Sequence, residues 1–324
     1  MSVTYIDAIH QALAELLEED PKVFLLGEDI AGSFGGAFKA TKGLAERFPG
    51  RVLNAPIAED AIAGVGMGAA LGGMKPIIEM QFADFGTLAQ NQIANNAAAH
   101  YYRTGIPVNL TVRMPSGGTP GGGPFHSQSL EALFAHYPGL HVFTPATVAD
   151  AYYMLKEAVR IPDPVVFMEH KFLYRWLKAD TWVDPQPLPV GKARIARMGK
   201  HATVVAFSAM VPEALKAAEE LSATTGYELE VVDLRSIKPL DTDTILASVA
   251  RTARLLVVSE DFPWGGVAAE VVARVADAGF HLLDAPPLRL TSRETPIPAH
   301  PELWKAHRPS AAGIAAAARY LISL

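Results

Sequence analysis

The stretch from Asn54 to Phe85, NAPIAEDAIAGVGMGAALGGMKPIIEMQFADF, constrains the fold more than any other part of the chain. It reads as the end of a strand, a turn carrying Glu59 and Asp60, an apolar helix, and a second strand over Lys75 to Met80. Gly64, Gly66, Gly68, Gly72 and Gly73 fall in or just after that helix, where each costs roughly 1 kcal/mol relative to alanine. Another backbone must therefore approach closely enough to compensate. A helix clamped between two buried strands is the βαβ unit of a parallel sheet. The second strand delivers Gln81, Phe82, Asp84 and Phe85 at its C-terminal end, where open α/β sheets bind ligands. Two acids in the first helical turn fit plain capping of unpaired N–H groups as well as a site.

The same alternation runs through the rest of the chain. A first helix, capped by Thr4, carries Ile6, Ile9, Leu13, Leu16 and Leu17 on one face. Strands follow at Val23 to Leu26, Pro107 to Arg113, Leu140 to Thr144 and Val165 to Glu169. Helices are expected at Thr41 to Arg47, from Phe85 to Tyr102, and at Val148 to Arg160. A proline-rich, aperiodic segment near residues 179–190 marks an ordered crossing between domains. Beyond it strands begin at Ala202, Glu228, Leu255 and Leu288, alternating with helices at Pro212, Thr242 and Gly266, and a last helix spans Ser310 to Ile322. The expected fold class is therefore α/β, with two domains built on mostly parallel sheets, at 1–178 and 191–324.

Composition removes several classes of function. A net charge of -6, scattered along the sequence, leaves no basic footprint for nucleic acid. The absence of cysteine excludes disulfides, thiolate metal sites and a cysteine nucleophile. The N-terminal residues form an acidic amphipathic pattern unlike a targeting peptide, and no apolar run reaches a membrane span, so a cytoplasmic enzyme is expected. Metalloprotease, nucleophile-elbow and EF-hand patterns do not occur. Gly64, Gly66 and Ala69 satisfy a loose dinucleotide fingerprint, with Glu79 or Asp84 as a ribose-binding acid. That fingerprint needs its first glycine directly after the strand, whereas Glu59 and Asp60 intervene and would repel a pyrophosphate.

Three further places carry chemistry-bearing residues. Glu28 and Asp29 end the second predicted element, where a solvated turn is the simpler reading. Gln90, Asn91, Gln92, Asn95 and Asn96 make one helix amide-rich, which suits a subunit contact, a site wall or an exposed face. The loop MPSGGTPGGGPFHSQS, too glycine-rich to be rigid unaided, holds His126 beside Ser127, Gln128 and Ser129, groups able to orient an imidazole.

LLGEDI with GGAFKATKGL, the stretch around Glu59, RMPSGG leading to HSQSLEALFAHYPGL, DPVVFMEHKFLYR and VVDLRSIKPLDTDTI occur in an order that is itself specific. In these motifs the chain resembles, over essentially its whole length, the β subunit of the thiamine-diphosphate-dependent decarboxylating component of 2-oxo acid dehydrogenase complexes. The resemblance implies a pyrimidine-binding domain followed by a transketolase C-terminal-type domain. It implies that Glu59 hydrogen-bonds N1′ of the aminopyrimidine and favours its imino tautomer. Phe85 would stack on that ring, Glu28 and Gln81 would line its pocket, and Ile57 and Ala58 would flank it. His126 would position substrate or handle a proton during acyl transfer to a lipoyl group.

No Gly-Asp-Gly occurs in this chain. The resemblance therefore assigns the diphosphate and its Mg2+ mainly to a separate α subunit, in an α2β2 heterotetramer that serves a lipoyl acyltransferase, and no metal site is expected here. The HSQS loop and FMEHKFLYR favour a branched-chain 2-oxo acid, with pyruvate or acetoin as the alternative and a split transketolase or an NAD-binding enzyme behind them. Ala58 stands where serine commonly precedes the glutamate, and Asn91 where aspartate precedes Gln-Ile. Related subunits hold potassium near the loop before Asp163, where this chain has Ile161 and Pro162.

Overall fold

The computed structural model describes residues 2–324, which cluster into two compact units. The first comprises the residues up to Gly117 together with Leu133–Pro187, and the second Gly118–Ala132 with Leu188–Leu324.

The first unit is a parallel sheet of β1 (Val23–Gly27), β2 (Val52–Asn54), β3 (Lys75–Glu79), β4 (Thr111–Ser116), β5 (His141–Phe143) and β6 (Val165–His170). Their spatial order is β5-β6-β4-β3-β1-β2, and every neighbouring pair within this set runs parallel. The inner strands are near-continuous apolar runs because helices cover both faces of such a sheet. Helix α1 (Tyr5–Glu19) starts with a capping box in which Thr4 Oγ1 accepts from Asp7 N–H and Asp7 accepts from Thr4 N–H. It packs on α3 (Val148–Arg160), where Lys156 Nζ bridges Glu15 (2.6 Å) and Glu19 (2.8 Å).

Between them in the chain lies α2 (Glu59–Leu71), whose glycines divide by face. A Cβ at Gly66 would lie 2.8 Å from Ile78 Cγ2 and 3.1 Å from Leu110 Cδ1, so this glycine is what lets the helix settle on the sheet. At Gly68 a Cβ would meet only open space, beside exposed Val65 and Leu71. The helix is thus apolar on its solvent side as well as its core side.

The expected helix from Phe85 to Tyr102 is instead three pieces: a 3-10 turn at Ala83–Thr87, a π-helix at Asn91–Ala98 and an α-helix at Ala99–Thr104. In the widened segment Asn95 Nδ2 donates to Asn91 Oδ1 (3.0 Å) and Asn96 Nδ2 to Gln92 Oε1 (3.0 Å). The amides thus pair with one another along the helix, a use that spacing did not distinguish.

The second unit has strands β7 (Arg194–Arg197), β8 (Ala202–Ala206), β9 (Leu229–Asp233), β10 (Leu255–Val258) and β11 (Leu288–Leu290), ordered β11-β10-β8-β9-β7. All pairs are parallel except β7 with β9. This antiparallel edge was not anticipated, because four residues containing two arginines have too little apolar pattern to register. Arg197 is anchored by Glu228. Helices α4 (Met210–Thr225), α5 (Thr242–Thr252), α6 (Val267–Gly279), α7 (Pro301–His307) and α8 (Ala311–Ser323) complete the unit. Short α7, opened by Pro301 after the His300 cap, was also missed. Arg235, buried and held at φ +56°, donates to the carbonyls of Leu188, Pro189 and Lys192, which fixes the chain as it enters this unit.

Candidate active site

Strand β1 ends at Gly27, and β2 pairs with it so that Gly27 stands opposite Asn54. Ala55 N–H donates to Gly27 O (2.8 Å), which carries the pairing one residue beyond the strands. Glu28 therefore leaves the sheet beside the turn that leads to Glu59, the first residue of α2. Both residues are buried, at 6% exposure each. Burial pushes the Glu28 carboxyl above the usual range, and the charges of Glu59 and Asp29 push it further the same way. Its Oε1 is shielded from solvent and lacks a hydrogen-bond partner. Asp29, next in sequence, is held at φ +54°, and its carbonyl accepts from Gly36 N–H (2.9 Å). Strain of this kind, roughly 1–2 kcal/mol for a non-glycine residue, persists only where the surroundings enforce it.

Ile57 and Ala58 lie on the exposed turn ahead of Glu59, with Ile57 83% exposed. Ala58 is the N-cap of α2 and supplies no side-chain hydrogen bond, so the first turn keeps N–H groups that no capping side chain occupies, with the acids Glu59 and Asp60 in the same turn. At the end of β3, Gln81 and Phe85 are half-buried. Phe82 packs edge-on against Phe85 (5.6 Å) and Phe38 (5.5 Å), and Phe38 continues to Tyr174 (5.1 Å).

Beneath this edge lies a charge cluster that spacing gave no means of finding. Arg113 on β4 contacts Glu79 on β3 through Nη1 (2.5 Å) and Glu169 on β6 through Nη2 (2.9 Å) and Nε (2.6 Å). Tyr174 donates to Glu169 Oε2 (3.1 Å). Burial pushes Glu79 up against the pull of Arg113, and the two acids hold the Arg113 guanidinium above its ordinary value against burial. Glu79 is thus committed to an ion pair and does not serve as a ribose-binding acid. The dinucleotide reading fails for a second reason: α2 begins at Glu59, so the Gly64 to Ala69 run lies inside the helix and forms no phosphate turn.

His126, half-buried, belongs to the segment Gly118–Ala132 that clusters with the second unit. The Gly118 N–H donates to Glu260 Oε1 (2.7 Å) and the Gly121 N–H to Ala299 O (3.0 Å). At the potassium-related loop, Asn109 Nδ2 donates to both Val159 O (3.1 Å) and Ile161 O (2.9 Å). Among the described residues no three His, Asp or Glu side chains converge as metal ligands.

The donor set of the first unit suits an uncharged heteroaromatic ring. A carboxyl fixed at a helix N-terminus can share a proton with a ring nitrogen, the orphaned Glu28 oxygen can accept from an amino group, and Phe85 offers a flat apolar face. Loss of the buried charge should show in stability. Glu28 takes up its proton more readily folded than unfolded, so its contribution to stability is full below the unfolded carboxyl range and is lost as pH rises through the raised folded value. Glu28→Gln is expected to raise the melting temperature at pH 7 and to make no difference near pH 4. A variant that melts lower than wild type at pH 7 would refute this.

The two units define a class. The chain matches the family model "Transketolase, pyrimidine binding domain" over residues 1–176 and "Transketolase, C-terminal domain" over residues 191–314. A solved structure described as a split gene transketolase, inactive beta4 tetramer, superposes with TM-score 0.82 at 25% identity, covering 99% of each chain. Among curated proteins, the 2-oxoisovalerate dehydrogenase subunit beta of Bacillus subtilis is 46% identical over 94% of both chains. The mitochondrial pyruvate dehydrogenase E1 component subunit beta-1 of Arabidopsis thaliana is 44% identical over 91% of this chain and 83% of its own. This chain belongs to the family of β subunits of the thiamine-diphosphate-dependent E1 component of 2-oxo acid dehydrogenases.

Proposed function

We propose that this chain completes the aminopyrimidine half of a thiamine diphosphate site shared with an α subunit, and that the assembled α2β2 enzyme decarboxylates a 2-oxo acid and passes the acyl group to lipoyl groups of an acyltransferase. The observation that carries this reading is the buried pair Glu28 and Glu59 at adjoining strand and helix ends, with one Glu28 oxygen unpartnered. Thiamine diphosphate, when bound, supplies the ring system that takes up the electrons released as carbon dioxide leaves.

The chain's own residues do the rest. Glu59, fixed by α2, holds a proton toward the ring nitrogen N1′. Phe85 stacks on the ring, while Glu28 and Gln81 present polar atoms to its edge and the exposed apolar turn at Ile57 and Ala58 flanks it. His126 orients the substrate or moves a proton in acyl transfer. Mg2+ and the diphosphate fall to the α subunit, a reading supported by the lack of a Gly-Asp-Gly motif in this sequence. The solvent-side apolar face of α2, with Val65, Gly68 and Leu71, suits close packing against another subunit.

A branched-chain substrate is favoured by the HSQS loop and by the 46% identity to a subunit named for 2-oxoisovalerate. The test is cofactor-dependent decarboxylation of 2-oxoisovalerate and pyruvate, and carbon–carbon cleavage of acetoin, each with dye reduction, using this chain with and without its α subunit. Activity is expected only in the complex, with the highest kcat/KM on 2-oxoisovalerate. A preference for pyruvate or acetoin would overturn the substrate assignment, and turnover by the isolated chain would overturn the shared site. Ketol transfer between sugar phosphates would favour the split-transketolase reading that the structural likeness invites.

A further inference from the structure

We infer that Glu260 is a positioning residue for the segment that carries His126, fixing it from the second unit's own fold. The inference rests on the acyl-transfer role proposed for His126. Gly117, Gly118, Gly121, Gly122 and Gly123 give this segment a large entropy to lose on ordering, so a single working geometry needs tethers. The structure supplies them at its entry. The Gly118 N–H donates to Glu260 Oε1 at 2.7 Å, a charge-assisted bond, and Gly121 N–H donates to Ala299 O at 3.0 Å.

Glu260 cannot turn away from this task. Its backbone carbonyl accepts from Ser292 Oγ (2.7 Å), and its second carboxylate oxygen lies 3.3 Å from Arg308 Nε. Arg308 is itself held by Glu213 (3.3 Å) and lies over the Trp304 ring, 5.0 Å from its centre. A Cβ at position 118 would overlap Trp304 Nε1, so glycine is required where the segment meets this support. The missing side chains that make the loop pliable are thus what let it seat against Glu260 and Trp304. A carboxylate bound at both oxygens, one to the loop and one to a buried guanidinium, transmits the rigidity of α7 to residues eight positions from His126.

The prediction separates the two half-reactions. In the assembled complex with its α subunit, Glu260→Ala is expected to lower acylation of an isolated lipoyl domain about 10- to 100-fold, the scale of a catalytic group displaced by about an ångström. Dye-coupled decarboxylation should stay within about twofold of wild type, because Glu59 and its surroundings are untouched. Amide exchange in peptides covering residues 117–130 should rise at least about tenfold, as for a segment released from its anchor. Glu260→Gln keeps a carbonyl oxygen for the Gly118 N–H and should restore slow exchange and most of the acylation. Unchanged exchange in Glu260→Ala, or equal loss in both half-reactions that Glu260→Gln fails to rescue, would overturn the assignment. His126→Ala tests the underlying role separately: if it acylates the lipoyl domain normally, that role falls, while the exchange data still decide whether Glu260 holds the segment.

Discussion

Replacing Glu59 with glutamine in the assembled α2β2 enzyme is expected to lower decarboxylation by about 10²- to 10⁴-fold, the range over which a positioned acid or base contributes. The argument is chemical before it is structural. Glutamine fills the same volume and can still donate from its amide to a ring nitrogen, but it cannot give up and take back a proton. Assembly should survive, because Glu59 stands at the first position of α2, where loss of its charge removes only the dipole interaction of roughly 0.3–1 kcal/mol and Asp60 remains in the same turn. The check is single-turnover decarboxylation alongside size-exclusion and melting profiles of the complex. A variant that keeps more than a tenth of wild-type turnover would show that proton exchange at this carboxyl is not what limits the reaction. Glu28→Gln should cost less, since its proposed contact to the ring edge needs an acceptor oxygen, which the amide retains.

Much of this site was legible because its residues are local. The turn from β2 to α2 puts Glu59 at a helix start, the β3 end delivers Gln81 and Phe85, and each placement follows from a hydrophobic period and a strand terminus within about 30 residues. Glu28 was harder to weigh: its sequence context fits a solvated turn, and only the pairing of β1 with β2 shows it buried next to Glu59. What could not be read was long-range. Glu79, Arg113 and Glu169 meet because β3, β4 and β6 are neighbours, an order set by crossovers that no residue spacing records. The π-helix at Asn91–Ala98 was invisible for another reason: amide side chains have no strong period of their own, and the wider turn is a property of the backbone that side-chain spacing does not record. The His126 loop was recognisable as needing support, and the support, Glu260 and Ala299, comes from residues well over a hundred positions away.

The largest stability effect is expected at Arg113. It is one of the largest fully buried side chains, and its guanidinium faces two carboxylates across three adjacent strands. Arg113→Met preserves most of the volume but leaves Glu79 and Glu169 buried without their cation, a loss of roughly 3–5 kcal/mol. Arg113→Lys should lose less, since it keeps the charge but not the fork that reaches both acids. The pH dependence identifies the cause. Glu79 is already displaced upward by burial, and without Arg113 its carboxyl binds a proton still more readily in the folded state. The deficit of Arg113→Met should therefore be greatest at pH 7 and shrink as pH falls and Glu79 is neutralised, the sign expected for an acid whose folded value lies above its unfolded one. Urea unfolding at pH 7 and pH 5 measures both quantities. Replacing all three residues with well-packed apolar side chains should recover most of the stability, because the penalty lies in the unpaired charge more than in the lost pair. A Glu79→Leu, Arg113→Met, Glu169→Leu variant as unstable as the single one would show that the strands need the ion pairs for their register. Such a variant would also separate fold from function: the chain leaves β3 at Glu79 and continues directly to Gln81 and Phe85, so a stable variant with weakened cofactor binding would assign the cluster to holding the rim of the site in place.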